Sequence, residues 1–138
     1  MSKNLWLALL ASLATMMAAA APAAAQQIVS GVYQLENGQW RWMSQTAVIM
    51  LKPPPQPSRL EIRFTIPDQS PARQVNVDLN NQRVASQVYP SPGAYTLTTP
   101  PLKPEGDSTT VTVTVDKVFS VPTDRRQLGI ILTEVGFH

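Results

Sequence analysis

Few residues in this chain can make or break bonds. There is no cysteine, and the one histidine, His138, is the last residue. A Cys-His nucleophile is therefore excluded, and a Ser-His-Asp set would have to be built around His138. The acidic residues Glu36, Glu61, Asp68, Asp78, Glu105, Asp107, Asp116, Asp124 and Glu134 are scattered. A glycosidase needs two carboxyl groups facing each other across one cleft. Zinc needs clustered Cys, His or carboxylate ligands. Glu105, Asp107 and Asp116 come nearest to a calcium set, but they lack the dense Asp/Asn spacing of a calcium loop. No glycine-rich phosphate loop occurs. The expectation is no catalytic residue, no cofactor and no metal, so a protein that is not an enzyme.

The chemistry the sequence does offer is recognition. The stretch "ENGQWRWMS" sets Trp40 and Trp42 two apart with Arg41 between them. On a strand, residues two apart share a face. Trp40, Trp42 and Ser44 then lie on one side, and Arg41 and Met43 on the other. A paired indole face suits either a sugar ring or a sandwich core, where each indole buries roughly 150–250 Å². Burial of at least one of the two is the expected outcome. Aromatic residues that the core does not need become the candidate ligand contacts: Tyr33, Tyr89, Tyr95 and Trp40. Tyr89 and Tyr95 flank a "PSPG" turn and are placed to present their rings at one end. Two acid–arginine pairs, Glu36 with Arg41 and Asp124 with Arg126, are expected to clamp loops through paired hydrogen bonds.

The elements that must position these residues read as short strands. Proline-rich segments at residues 52–58, 67–71, 89–93 and 100–106 remove ladder donors and disfavour helix, so they are expected to be loops. Between them, Leu60, Ile62, Phe64 and Ile66 alternate with polar residues. Val111, Val113 and Val115 alternate in the same way with Thr110, Thr112 and Thr114. That period of two predicts one buried face and one wet face. Residues 73–89 read as a hairpin turning at Asn80 and Asn81, because asparagine tolerates the positive φ of a tight turn. Residues 47–51 and 128–132 are continuously apolar and predict central strands. With residues 29–35 and 93–99 the set comes to about eight. Many short strands with regular turn signals imply an all-β, two-layer antiparallel β-sandwich, jelly-roll-like.

The first 25 residues do not belong to that pattern. Lys3 is followed by an apolar, alanine-rich run from Leu5 to Ala21 and then by small residues. This is the layout of a secretory signal peptide, with the cut expected after Ala25. A sandwich domain over residues 26–138 follows, with no membrane span left after cleavage. The absence of cysteine excludes a disulfide-stapled scaffold and a lipid-anchoring cysteine. Eleven Lys or Arg, one of them Lys3, stand against nine Asp or Glu. That balance gives no broad pull toward nucleic acid.

Two sets of residues carry a resemblance. Gly31, Glu36, Gly38, Trp40, Arg41 and Trp42 precede an apolar strand, and Pro122, Asp124, Arg126, Leu128 and Gly129 lead into the closing one. With "VNVDLNNQRV" and "PGAYTLTTP" between them, the chain resembles a bacterial β-sandwich module. That module often forms the C-terminal soluble portion of membrane-bound glycosyltransferase-like and other cell-envelope proteins. The resemblance implies a periplasmic or secreted protein that binds a glycan in the envelope. The alternative expectation is a structural subunit that pairs with an envelope protein through an exposed strand edge.

Overall fold

A computed structural model describes residues 26–36, 41–68 and 72–138, apart from the side chains of Gln26, Gln27 and Asp124. The expected signal peptide, Gly38 and Trp40 lie outside the described residues. The described chain forms ten strands: β1 (Gln26–Val32), β2 (Arg41–Leu51), β3 (Ser58–Ile66), β4 (Arg73–Leu79), β5 (Gln82–Tyr89), β6 (Gly93–Leu102), β7 (Thr109–Val115), β8 (Phe119–Val121), β9 (Asp124–Leu128) and β10 (Ile131–Phe137). No helix among them is long and apolar enough to cross a membrane. Their pairings are all antiparallel.

The period-two residues build the core as their spacing demands. Leu60 and Ile62 are fully buried, Phe64 and Ile66 nearly so, and Val111, Val113 and Val115 are fully buried from the opposite layer. Thr110, Thr112 and Thr114 face outward and are half-buried. Strand order runs β5-β4-β7-β2-β10-β3-β6, with β1 on the other edge of β2. One layer holds β5, β4, β7, β1 and most of β2, and the other holds β10, β3 and β6. Side chains from both inner faces form one apolar cluster. The result is the all-β sandwich that the alternation predicts.

Strand β2 joins the two layers. It pairs with β7 over Thr46–Leu51 and with β10 at Arg41 and Trp42. Glycines sit where it passes between them. A Cβ on Gly31, which holds φ +80°, would stand 1.8 Å from the Thr46 carbonyl oxygen. One on Gly129 would stand 2.7 Å from the Ser44 carbonyl oxygen. Backbones can approach this closely only where no side chain intervenes.

Asn80 and Asn81 make the β4–β5 turn at φ 48° and 69°, in the left-handed region. The Asn80 Oδ1 accepts the Thr110 N–H at 2.9 Å, which fixes the turn to β7.

Met43 is fully buried on the core side of β2, and Trp42 on the opposite face is half-buried; Trp40, the other indole expected to fill the core, lies outside the described residues. Two readings are corrected by the structure. Residues 128–132 are not one strand. The chain bends at Gly129 and Ile130, where Gly129 N–H donates to the Met43 carbonyl at 2.8 Å and Met43 N–H to that of Ile130 at 3.0 Å. Finally, β6 continues through Pro100 and Pro101. It is an edge strand, and opposite the prolines the β3–β6 register slips between Arg59 and Glu61, so no regular ladder bond is demanded of them there.

Candidate functional site

Cross-strand register brings much of the recognition chemistry to one end of the sandwich. In the second layer Arg41 lies opposite Leu132, Leu132 opposite Phe64, and Phe64 opposite Tyr95. In the first layer Arg73 lies opposite Tyr89. Arg41 and Tyr95 are thus three strand spacings apart, about 14 Å.

Tyr33 is the centre of the arginine side. Its N–H donates to the Trp42 carbonyl at 2.8 Å, which continues the β1 pairing past Val32. Its hydroxyl donates to the Gln127 carbonyl at 3.2 Å. Arg41 Nη1 donates to the Tyr33 carbonyl at 3.1 Å. The Arg126 guanidinium carbon sits 5.2 Å from the centre of the Tyr33 ring, within cation–π range. Arg126 Nη1 donates to Glu36 Oε2 at 2.8 Å. The Arg126 and Glu36 side chains keep 31% and 36% of their surface, so water screens the pair and it contributes at most about 1 kcal/mol.

Segments 90 residues apart in the chain therefore meet at one tyrosine. The Glu36–Arg41 clamp expected from sequence pairs differently here. Glu36 holds Arg126 rather than Arg41, and Arg41 holds backbone. The Tyr33 carbonyl, just past β1, accepts from the Arg41 guanidinium instead. The Asp124 side chain lies outside the described ones.

A second cation–aromatic stack adjoins the first. Arg73 is fully buried on the inner face of β4, and Nη2 donates to the Gly129 carbonyl at 3.2 Å. Its guanidinium carbon lies 5.8 Å from the Phe119 ring centre. Phe119 in turn meets Trp42 edge to face at 5.7 Å. The β8–β9 hairpin thus covers this end. Burial pulls the pKa of Arg73 below the ordinary arginine value, against the opposing effect of Asp116. Burial does the same to Arg41. Sequence reading passed over Arg73 and Phe119. Arginine at the first inward position of the alternating run "RQVNVDL" was the available signal.

The other tyrosines form a separate group. Tyr89 is only 8% exposed, with its ring 5.0 Å from Phe64 and 4.5 Å from Tyr95. Burial, with Tyr95 adding to it, pushes its phenol pKa up. The expectation that Tyr89 presents its ring is corrected: its inward register on β5 puts it in the core. Tyr95 is half-buried, and its hydroxyl donates to the Ser91 carbonyl at 2.6 Å, closing the "PSPG" turn. Of the contacts expected from sequence, Tyr33 meets both Arg41 and Arg126, and Trp40 is outside the described residues.

Among the described residues no three acidic or histidine side chains are grouped to hold a metal. The arrangement can offer aromatic stacking, guanidinium donors and one carboxylate acceptor to a ligand.

No family model and no curated protein matches the chain. Solved structures do. Over 91% of its length the chain is similar to a family GH115 4-O-methyl-α-glucuronidase with specificity for decorated arabinogalactans, at TM-score 0.51 and 10% identity, covering 19% of that chain. It is similar over 85% of its length to the secreted serine protease VesC from Vibrio cholerae, at TM-score 0.49 and 20% identity, covering 25% of that chain. It is also similar over 81% of its length to the carbohydrate-binding module CBM36 in complex with calcium and xylotriose, at TM-score 0.46 and 7% identity, covering 99% of that chain. The chain thus spans a quarter or less of the first two. At 10% identity the GH115 likeness shows a shared fold and nothing further. With the strand order above, it makes this chain a β-sandwich module.

Proposed function

We propose that the protein is an exported, non-catalytic β-sandwich that binds carbohydrate in the bacterial envelope, in the periplasm or outside the cell. The observation that carries the reading is the Tyr33 assembly. A half-buried tyrosine ring, a guanidinium stacked on it, a carboxylate and a second arginine converge at one end of the sandwich. Sugars are recognised by this combination, with ring faces against an aromatic and hydroxyls against planar donors and acceptors. Export rests on the signal-peptide layout of residues 1–25. The glycosyltransferase-like resemblance and the sandwich modules among its structural neighbours agree with a glycan ligand. Replacement of Tyr33 by alanine tests it. On a glycan array the wild-type protein should bind a defined set of saccharides, and Tyr33→Ala should lose them while keeping its β-sheet circular dichroism. Undiminished binding by the folded variant would refute this site.

A second reading is a protein-interaction subunit of an envelope complex. Edge strand β5 favours it, because Val88 is 58% exposed there beside an unpaired strand edge. A stable partner in a pull-down that is lost on Val88→Lys, with no array signal, would select it.

A further inference from the structure

Within that carbohydrate reading, on which this inference rests, the ligand's charge can be argued from the arginines. Arg126 already holds the Glu36 carboxylate. Arg41 differs. It is half-buried, and among the described residues no carboxylate lies within ion-pair distance of it. It donates from Nη1 to the Tyr33 carbonyl, a neutral acceptor. A guanidinium has five N–H donors in a planar fork that matches a carboxylate in two parallel bonds. Burial without an opposite charge is costly for a cation, and a charged ligand would offset that cost.

The neighbouring Glu36–Arg126–Tyr33 arrangement shows the same chemistry satisfied within the chain, a carboxylate on an arginine that stacks on a ring. Arg41 touches the backbone of that same tyrosine. A carboxylate on a saccharide bound at this end would supply the opposite charge that Arg41 lacks among the described residues.

We propose that the Tyr33 end selects saccharides bearing a carboxylate, with Arg41 as the residue that reads the charge. The purified protein is titrated calorimetrically with tri-galacturonic acid, with its methyl ester, and with acetate at equal carboxylate concentration. The expected result is binding of the acid at least ten-fold tighter than of the ester, with no competition by acetate. Arg41→Gln should bring the acid down to the level of the ester, whereas Arg59→Gln, on β3 and bonded to Thr99, should leave the preference intact. The acid–ester comparison uses the wild-type protein, so it stands even if Arg41→Gln folds poorly. Equal binding of acid and ester, both lost on Tyr33→Ala, would overturn the charge selection and leave the carbohydrate reading intact. Competition by acetate alone would mean a simple anion site and would overturn the selection of saccharides. No binding of either trisaccharide, beside neutral glycans that do bind on the array, would overturn the charge selection alone. No binding of any saccharide would remove both.

Discussion

At the scale of single residues, the tightest constraints lie where backbones touch. Gly31 combines a positive φ with a neighbour that leaves no space for a methyl group. Left-handed backbone costs an L-residue about 1–2 kcal/mol, and the Thr46 carbonyl must also move. Gly31→Ala is expected to lower unfolding free energy by more than about 2 kcal/mol, read from urea denaturation. Thr99 is a second such position. Its Oγ1 accepts the Leu60 N–H at 3.0 Å, where the β3–β6 register slips between Arg59 and Glu61. Thr99→Val leaves that buried N–H without its acceptor, and the same measurement should show a loss of about 1–3 kcal/mol. Neither role was legible in sequence. A glycine and a threonine in β-rich segments announce nothing until the opposing strand is known, because the neighbour that constrains them is remote in the chain.

At the scale of elements, the strands were largely legible and their ends less so. The inward residues of β3 and β7 followed from alternation alone, since period two is a local property of the backbone. The extension of β6 through two prolines did not, because edge position is set by the order of strands. The final strand shows what its pairing adds. His138 continues the ladder, with N–H to the Arg59 carbonyl at 2.8 Å and its carbonyl accepting the Arg59 N–H at 2.9 Å. Its Nε2 lies 2.8 Å from Glu134 Oε2, and Glu134 also meets Arg63 at 3.3 Å. The hydrogen bond to Glu134 raises the histidine pKa above its ordinary 6.5, outweighing its partial burial. A raised folded value means that the imidazolium stabilises the fold below pH 6.5, and that this contribution is lost as pH rises through the folded pKa. As His138 is the one histidine in the chain, its NMR titration should show a midpoint above 6.5. The wild-type urea midpoint should fall from pH 6 to pH 9 more than that of His138→Gln. Equal slopes would show that the Glu134 contact does not form in solution.

At the scale of the whole molecule, the fold depends on one strand shared by two layers. The first residues of β2 belong with β10, close to the C-terminus, and its last residues with β7. The two layers are joined only when β2, near the start of the described chain, has met β10 near its end. Loop closure of that length must precede the contacts that reward it, so folding is expected on the millisecond-to-second scale, read by stopped-flow fluorescence. A microsecond phase carrying the full amplitude would contradict this. The candidate site inherits the same dependence. By itself the sequence determined the β class, the inward faces, the Asn80–Asn81 turn and the types of residue available for recognition. All of these follow from backbone periodicity and local turn chemistry, which act over a few residues. Tertiary structure alone decided that Met43 and not Trp42 faces the core, that Tyr89 is buried, and that Glu36 holds Arg126 across the chain. Those outcomes depend on which strands become neighbours, and that is settled by packing two layers against each other.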